Sequence, residues 1–221
     1  MPQNPLSQAD GYKLSHYGFM REGTTKLYAN ITARSHRRAT FQDSNLRVVF
    51  AGAQAFVKDY LIREWQEGFF KRPLNQVIGE WQARVEGYLG KGAVSMAHFK
   101  ALHKLGYLPI ELKALPEGSK VPFRVPLMTW TNTHPDFAWL VTYIETVLSQ
   151  EMWHIITSAT TAYQYLTLAR RFADQTVGNR DHVMFQCHDF SARGLPGRHA
   201  AAASGFAHLL SFSGTDTIAA L

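Results

Sequence analysis

Hydrophobic and polar residues alternate strictly from Lys26 to Arg34, with Leu27, Ala29, Ile31 and Ala33 on one face and Tyr28, Asn30, Thr32 and Arg34 on the other. This period of two predicts a half-buried strand whose polar face directs Arg34 to solvent or to a ligand. Val48-Val49-Phe50 predicts a second strand, ending at Gly52. Ala53, Phe56, Val57, Tyr60, Leu61 and Trp65 then follow helical spacing and read as a core stripe. Further helices are expected over 74–88 and from Val94 to Leu105, the latter closed by Gly106. Near the start, Asp10 reads as the N-cap of a short helix carrying Tyr12, Lys13, Ser15, His16 and Tyr17.

Ile110, Leu112 and Ala114 alternate with Glu111 and Lys113, predicting a strand that stops at Pro116-Glu117-Gly118. Val121 to Thr131 is extended, and Pro122 and Pro126 confine it to a sheet edge or irregular pairing. Thr133-His134-Pro135-Asp136 opens a helix with Phe137, Leu140, Val141, Ile144, Val147 and Leu148 on one side. Another helix is expected from about Thr160 to Phe172.

The order changes near the end of the chain. The apolar runs Val183-Met184-Phe185-Gln186-Cys187 and Leu209-Leu210-Ser211-Phe212 predict strands, with a helix from Ala200 to Leu209 between them. Each run leads into a polar segment, His188 to Gly194 and Gly214 to Thr217. Strand, loop, helix, strand is the unit of a parallel sheet, and ligands gather at the carboxyl ends of such strands. Phe190, Arg193 and Asp216 would then share one rim, a set that suits a flat heteroaromatic ring bearing an amide. Leu221 falls in what reads as the first turn of a helix begun at Thr215 or Asp216. The expected class is α/β: an irregular α+β domain over 1–150, then over 151–221 the first units of an incomplete, TIM-like parallel α/β barrel. Two parallel strands with one crossover cannot bury both faces of a sheet, so the chain is expected to stop within its fold.

Composition narrows the function classes. A hydrophobic content of 46% and an aromatic content of 13% are those of a packed globular protein. The one cysteine, Cys187, allows no intrachain disulfide and fits a reducing compartment. The polar start and the lack of a long apolar run point to a cytoplasmic chain without membrane partners. The net charge of +6 is spread out, densest at Arg34, His36, Arg37 and Arg38, and no nucleic-acid-binding module accompanies it. His188, His199 and His208 lack cysteine or carboxylate support for zinc, so no metal site is expected among them.

Several separated blocks share one order and spacing: Asp10-Gly11-Tyr12-Lys13-Leu14-Ser15-His16-Tyr17, Leu108 to Gly118, Asn132-Thr133-His134-Pro135-Asp136 with Trp139 and Ile144-Glu145-Thr146, His188-Asp189-Phe190-Ser191-Ala192-Arg193-Gly194, and Gly214-Thr215-Asp216-Thr217. Together they closely resemble the nicotinamide phosphoribosyltransferase family, over the amino-terminal half of its members. The resemblance implies transfer of phosphoribosyl from phosphoribosyl pyrophosphate to nicotinamide, giving nicotinamide mononucleotide and pyrophosphate, in NAD salvage. It implies a homodimer with shared sites, Mg²⁺ carried with pyrophosphate, and ATP as a coupled substrate. Phe190 matches the family's ring-stacking phenylalanine, and Tyr12 a tyrosine that covers the ring's other face across the dimer. Arg193 matches the donor to the carboxamide oxygen, and Asp216 the acceptor from its nitrogen.

Arg34 matches a contact to phosphate or pyrophosphate from the neighbouring subunit. His188 and Asp189 resemble residues that hold the site loop. No catalytic residue is expected within this chain, because the family's phosphorylatable histidine lies beyond Leu221. Leu195-Pro196-Gly197-Arg198-His199 departs from the Ser/Glu-rich stretch usual after Arg-Gly. Asp216 would repel a carboxylate and accept from an amide, which favours nicotinamide over nicotinate. Two alternatives remain open at this point: a nicotinate phosphoribosyltransferase, and a non-catalytic fragment that binds nicotinamide or dimerises.

Overall fold

The computed structural model describes residues 3–39 and 45–221. In chain order the elements are α1 (Lys13–Phe19), β1 (Tyr28–Thr32), β2 (Val48–Val49), α2 (Ala53–Phe56), α3 (Leu74–Leu89), α4 (Ala97–Leu105), β3 (Ile110–Ala114), β4 (Lys120–Val121), β5 (Pro126–Asn132), α5 (Leu140–Tyr143), α6 (Glu145–Thr176), β6 (His188–Asp189), α7 (Arg198–Leu209) and β7 (Gly214–Thr215). Described strands form three small sheets, ordered β1-β5-β3, β2-β4 and β6-β7. This is a mixed α/β chain, and no closed barrel is present among the described residues. It divides into two compact units: Met1–Asn30 with Gln54–Lys113 and Met128–Ser149, and Ile31–Ala53 with Ala114–Leu127 and Gln150–Leu221.

The first unit is built on aromatic packing. Trp65, Phe69, Phe99, Leu102, Leu140 and Ile144 are fully buried there. The segment after α2 is wound as a π-helix over Val57–Glu64 and again over Gln66–Phe70. Its apolar spacing explains the winding. Tyr60 and Trp65 stand five apart, which an α-helix would send to different faces and an i→i+5 helix brings into line. The Trp65 backbone N–H accordingly donates to the Tyr60 carbonyl. On α3, Val77, Trp81 and Val85 recur at every fourth position and are buried. Trp81 meets Phe99 of α4 edge-on at 5.8 Å. Helix α4 stops at Gly106, whose φ of 83° suits the left-handed cap that glycine adopts without strain.

Three expectations for this part of the chain are corrected. Asp10 does not cap α1; its carboxylate accepts from the Thr146 hydroxyl at 2.8 Å, a longer-range bond that outcompetes the local one. Strand β5 is the middle strand of its sheet, not an edge. Pro126 is its first residue, where a missing N–H does little harm, and Pro122 lies outside it. The helix expected near Thr160 is not separate, since α6 is one helix of 32 residues. Polar residues interrupt its apolar stripe without breaking it, because neither Gly nor Pro lies within its span.

In the second unit, β2 pairs antiparallel with β4, placing Val48 opposite Val121. Val49, Ala51, Ile155, Ala159 and Ala207 form one buried cluster. Ala162, Leu166, Ala173, Val183 and Phe212 form another. Ala159 of α6 and Ala207 of α7 share the first of these clusters. Helix α7 connects β6 to β7, and these strands pair in parallel, with His188 opposite Gly214 and Asp189 opposite Thr215. The parallel strand–helix–strand unit is therefore present, but its strands are short and shifted. Val183–Phe185 is a 3₁₀ turn, since only Val183 of that run is buried while Phe185 is 76% exposed. Leu209 ends α7, and the Ser211 and Phe212 amides still bond back to the His208 carbonyl, so β7 begins only at Gly214. Asp216 makes no capping bond; a 3₁₀ turn follows over Ile218–Ala220.

Gly52 joins β2 to the segment that follows, with φ of 96° and its amide donating to Glu117 Oε2 at 2.7 Å. A Cβ there would stand 2.6 Å from Ile155 Cδ1. Gly52→Ala is expected to destabilise the second unit by about 1–3 kcal/mol, through backbone strain and overpacking together. Urea unfolding followed at Trp153, the one tryptophan of that unit, checks this.

Candidate functional site

The β6 and β7 ends are held together by one carboxylate. Asp189 is buried, and its Oδ1 accepts from the Ser191 amide at 3.2 Å. Its Oδ2 accepts from the Thr215 hydroxyl at 2.8 Å and the Thr217 hydroxyl at 3.5 Å. The Asp189 carbonyl accepts from the Asp216 amide at 2.8 Å, extending the parallel pairing by one bond. Thr215 Oγ1 also accepts from the Thr217 amide at 3.1 Å. Burial pushes the Asp189 pKa up, but the bonds from Ser191 and Thr215 outweigh it, and the carboxyl sits below its ordinary range. Gly214 stands opposite, and a Cβ there would lie 2.1 Å from His188 Nδ1, so a larger residue would turn the His188 ring out of its present place.

Around this tie lies a hollow of about 420 Å³. His188, Asp189, Phe190 and Ser191 form one wall, Ser204, His208 and Phe212 a second, and Thr157, Thr161 and Tyr165 of α6 a third. Phe190 is 70% exposed, so its ring is available for stacking and is no part of the core. His188 tilts against it with ring centres 5.0 Å apart. Asp216 is exposed and reaches toward the same histidine, with Oδ1 3.9 Å from His188 Nε2. Two side chains that the sequence did not assign to the site fix the far wall. His208 Nε2–H donates to the Cys187 carbonyl at 3.2 Å and its ring stacks on buried Phe212. Ser191 Oγ bonds Ser204 Oγ at 3.1 Å, linking the turn after Phe190 to α7.

The expected site residues are thus distributed. Phe190, His188, Asp189 and Asp216 come together at the β6 and β7 ends. Arg193 lies in the 3₁₀ turn Ser191–Gly194 just after Phe190, exposed. Arg34 is elsewhere in the same unit, on a hollow of about 410 Å³ whose rim also carries His36 and Arg38. Both hollows use Thr157 and Thr161, so α6 supplies a wall to each. Tyr12 belongs to the first unit, 59% exposed beside α1. There the His16 pKa is lowered, by burial first and by the Lys13 ammonium second, against the opposing pull of Glu145. Among the described residues, no three His, Cys, Asp or Glu side chains are grouped to hold a metal ion. None of the described helices is long and apolar enough to cross a membrane.

The chemistry on offer is an exposed aromatic face and a carboxylate beyond the strand end, with an arginine in the turn that follows the ring, beside a tie that depends on ionisation. Asp189→Asn leaves the Ser191, Thr215 and Thr217 donors facing an amide, and is expected to cost about 1–3 kcal/mol at neutral pH. Because the folded carboxyl is depressed, its contribution is complete above the ordinary aspartate range near 3.9 and is lost as pH falls through the folded value. The stability gap between wild type and Asp189→Asn should therefore close on acidification. Urea titrations at a series of pH values measure it, and a gap that widened toward acid would contradict the assignment.

No family model matches the chain. Similar proteins are nonetheless plain. The nicotinamide phosphoribosyltransferase of Acinetobacter baylyi is 47% identical over 219 residues, covering 99% of this chain and 43% of that protein. That of Xanthomonas campestris is 40% identical, covering 99% and 43%. That of Mycoplasma pneumoniae is 33% identical, covering 96% and 49%. Among solved structures, human nicotinic acid phosphoribosyltransferase shares the fold with a TM-score of 0.65 at 19% identity, covering 96% of this chain and 36% of that one. The chain spans less than half the length of the curated relatives it matches. Its 221 residues are thus homologous, over essentially their whole length, to a part of the nicotinamide phosphoribosyltransferases.

Proposed function

We propose that this chain supplies the nicotinamide-gripping part of a nicotinamide phosphoribosyltransferase. The observation that carries the proposal is the parallel pairing of β6 with β7, which brings Phe190 and Asp216 each within reach of His188 in a chain with relatives of that name. In this reading the pyridine ring stacks on Phe190, which orients it without sensing its substituent. Arg193 donates to the carboxamide oxygen and Asp216 accepts from its nitrogen. Tyr12 of a second copy covers the other ring face in a symmetric dimer. The ring nitrogen attacks the anomeric carbon of phosphoribosyl pyrophosphate, and the carbon–oxygen bond to pyrophosphate breaks with its electron pair leaving on pyrophosphate. Mg²⁺ arrives with that substrate, and ATP is a coupled substrate of the whole protein.

Arg34 fits the phosphate or pyrophosphate groups, a role supported by the neighbouring His36 and Arg38. The β6-α7-β7 unit is the opening of a parallel α/β barrel. A cytoplasmic setting agrees with the single cysteine. The nicotinate alternative has the shared fold in its favour and Asp216 against it, since a carboxylate ring substituent would face a like charge.

The test is product formation, measured by chromatography of nicotinamide mononucleotide, with the chain assayed alone, mixed with, and fused to the remaining part of the Acinetobacter relative. Turnover is expected in the mixed or fused form, faster with nicotinamide than with nicotinate. Asp216→Asn should erode that preference by roughly tenfold or more. Phe190→Ala should weaken nicotinamide binding by roughly 2- to 10-fold, the value of one stacked ring. Faster turnover of nicotinate with Asp216 intact would overturn the specificity argument. Inactivity of every form, with no calorimetric heat on adding nicotinamide, would overturn the function.

A further inference from the structure

Helix α1 and the residues just before it are fastened to the segment from Trp139 to Thr146 by polar contacts and to α4 by a ring stack. Asp10 bonds Thr146 through both its carboxylate and its amide, at 2.8 Å and 3.1 Å. His16 Nδ1 stands 3.2 Å from Thr142 Oγ1. Tyr17 stacks flat on His98, with ring centres 4.2 Å apart. Between these contacts lies Lys13, whose side chain is 2% exposed while that of its partner Glu145 is 48% exposed.

A lysine buried to this degree needs an explanation. Taking an ammonium out of water is costly, and one ion pair seldom makes the site more stable than an apolar residue would. The other contacts already dock α1. What the ammonium adds lies at its tip: Nζ is 2.6 Å from Glu145 Oε2 and 4.9 Å from the centre of the Tyr12 ring. That distance is within the range where a cation is drawn to an aromatic face. Tyr12 is otherwise mostly exposed, with the His16 ring tilted beside it at 5.3 Å.

We propose that Lys13 is a positioning residue for Tyr12: anchored by Glu145, its ammonium holds the phenol ring in one orientation, as a fixed platform for a flat base. The platform's use rests on the reading of Tyr12 as a ring cover, and the fixing of the ring does not. Glu145 sets where the ammonium sits, and burial of the lysine stem keeps the cation from swinging into water. A ring fixed before the base arrives loses less freedom on binding.

The experiment uses the chain labelled with 3-fluorotyrosine, with the Tyr12 resonance assigned by its disappearance in Tyr12→Phe. Lys13→Met keeps an unbranched apolar stem and removes the charge; it should displace and narrow the Tyr12 line. Glu145→Gln should do the same to a smaller extent, and gives an independent reading if Lys13→Met fails to fold. Lys13→Arg should restore the line toward its original position. Thr146→Val is the control for docking alone, expected to lower the unfolding midpoint while leaving the Tyr12 line in place. A Tyr12 line unchanged in the charge-removing variants, or one displaced equally by Thr146→Val, overturns the proposal. Nicotinamide titrated into the same samples separates the two readings. Roughly three- to tenfold weaker half-saturation in Lys13→Met is expected. A Tyr12 line that the lysine controls but nicotinamide never moves would uphold the positioning and remove the ring cover.

Discussion

A single buried carboxylate stands between two strands of two residues each and the loops that carry the site. Strands this short contribute few ladder bonds, and an isolated pair is marginal in water. Asp189 compensates by gathering three donors from both sides of the pairing: Ser191 beyond β6, and Thr215 and Thr217 within and beyond β7. Each of these neighbours a residue of the site. Ser191 follows Phe190, and Thr215 and Thr217 flank Asp216. The positions of the exposed Phe190 ring and of the exposed Asp216 carboxylate therefore depend on a third group.

Long periodic elements were legible in the sequence because their periodicity is a property of burial. The alternation around β1 reappears as alternating exposure from Leu27 to Asn30, and the stripe on α3 is buried as spaced. Legibility failed where a short run had two possible fates. Val183 to Cys187 has the composition of a strand, yet a buried residue at one end and exposed ones after it make a turn. The Tyr60–Trp65 interval was read with a helix of the wrong pitch. Asp10 looked like a cap because sequence shows only local partners, and Thr146 is 136 residues away.

The site itself was half legible. Residue types at the ends of β6 and β7 pointed to Phe190 and Asp216, and the structure brings both to His188. Hydroxyls gave no such signal, since Ser and Thr serve turns everywhere in a chain. Yet Thr215 and Thr217 stand two apart around Asp216, the spacing that returns both side chains to one partner. His208 was weighed only as a metal ligand, and its structural role was hidden for another reason. Its bond to the Cys187 carbonyl joins the end of α7 to the start of β6, a contact that no helical or strand period encodes.

The charge that would tell an amide from an acid depends on cover. Asp216 has a side chain 64% exposed, and at about 4 Å two like charges repel by only about 1 kcal/mol in bulk water. At the effective dielectric of a protein surface the same separation is worth about 4 kcal/mol, enough to exclude a carboxylate. In the proposed site the difference would be made by whatever displaces water above the carboxylate: the bound ring itself, and an aromatic face closing over it. Selectivity on this view is not a property of Asp216 alone. It grows with the order of the covering ring, and a covering ring that can turn freely leaves water in place. A lysine withdrawn from solvent to hold one phenol still would then strengthen discrimination at a carboxylate it never meets.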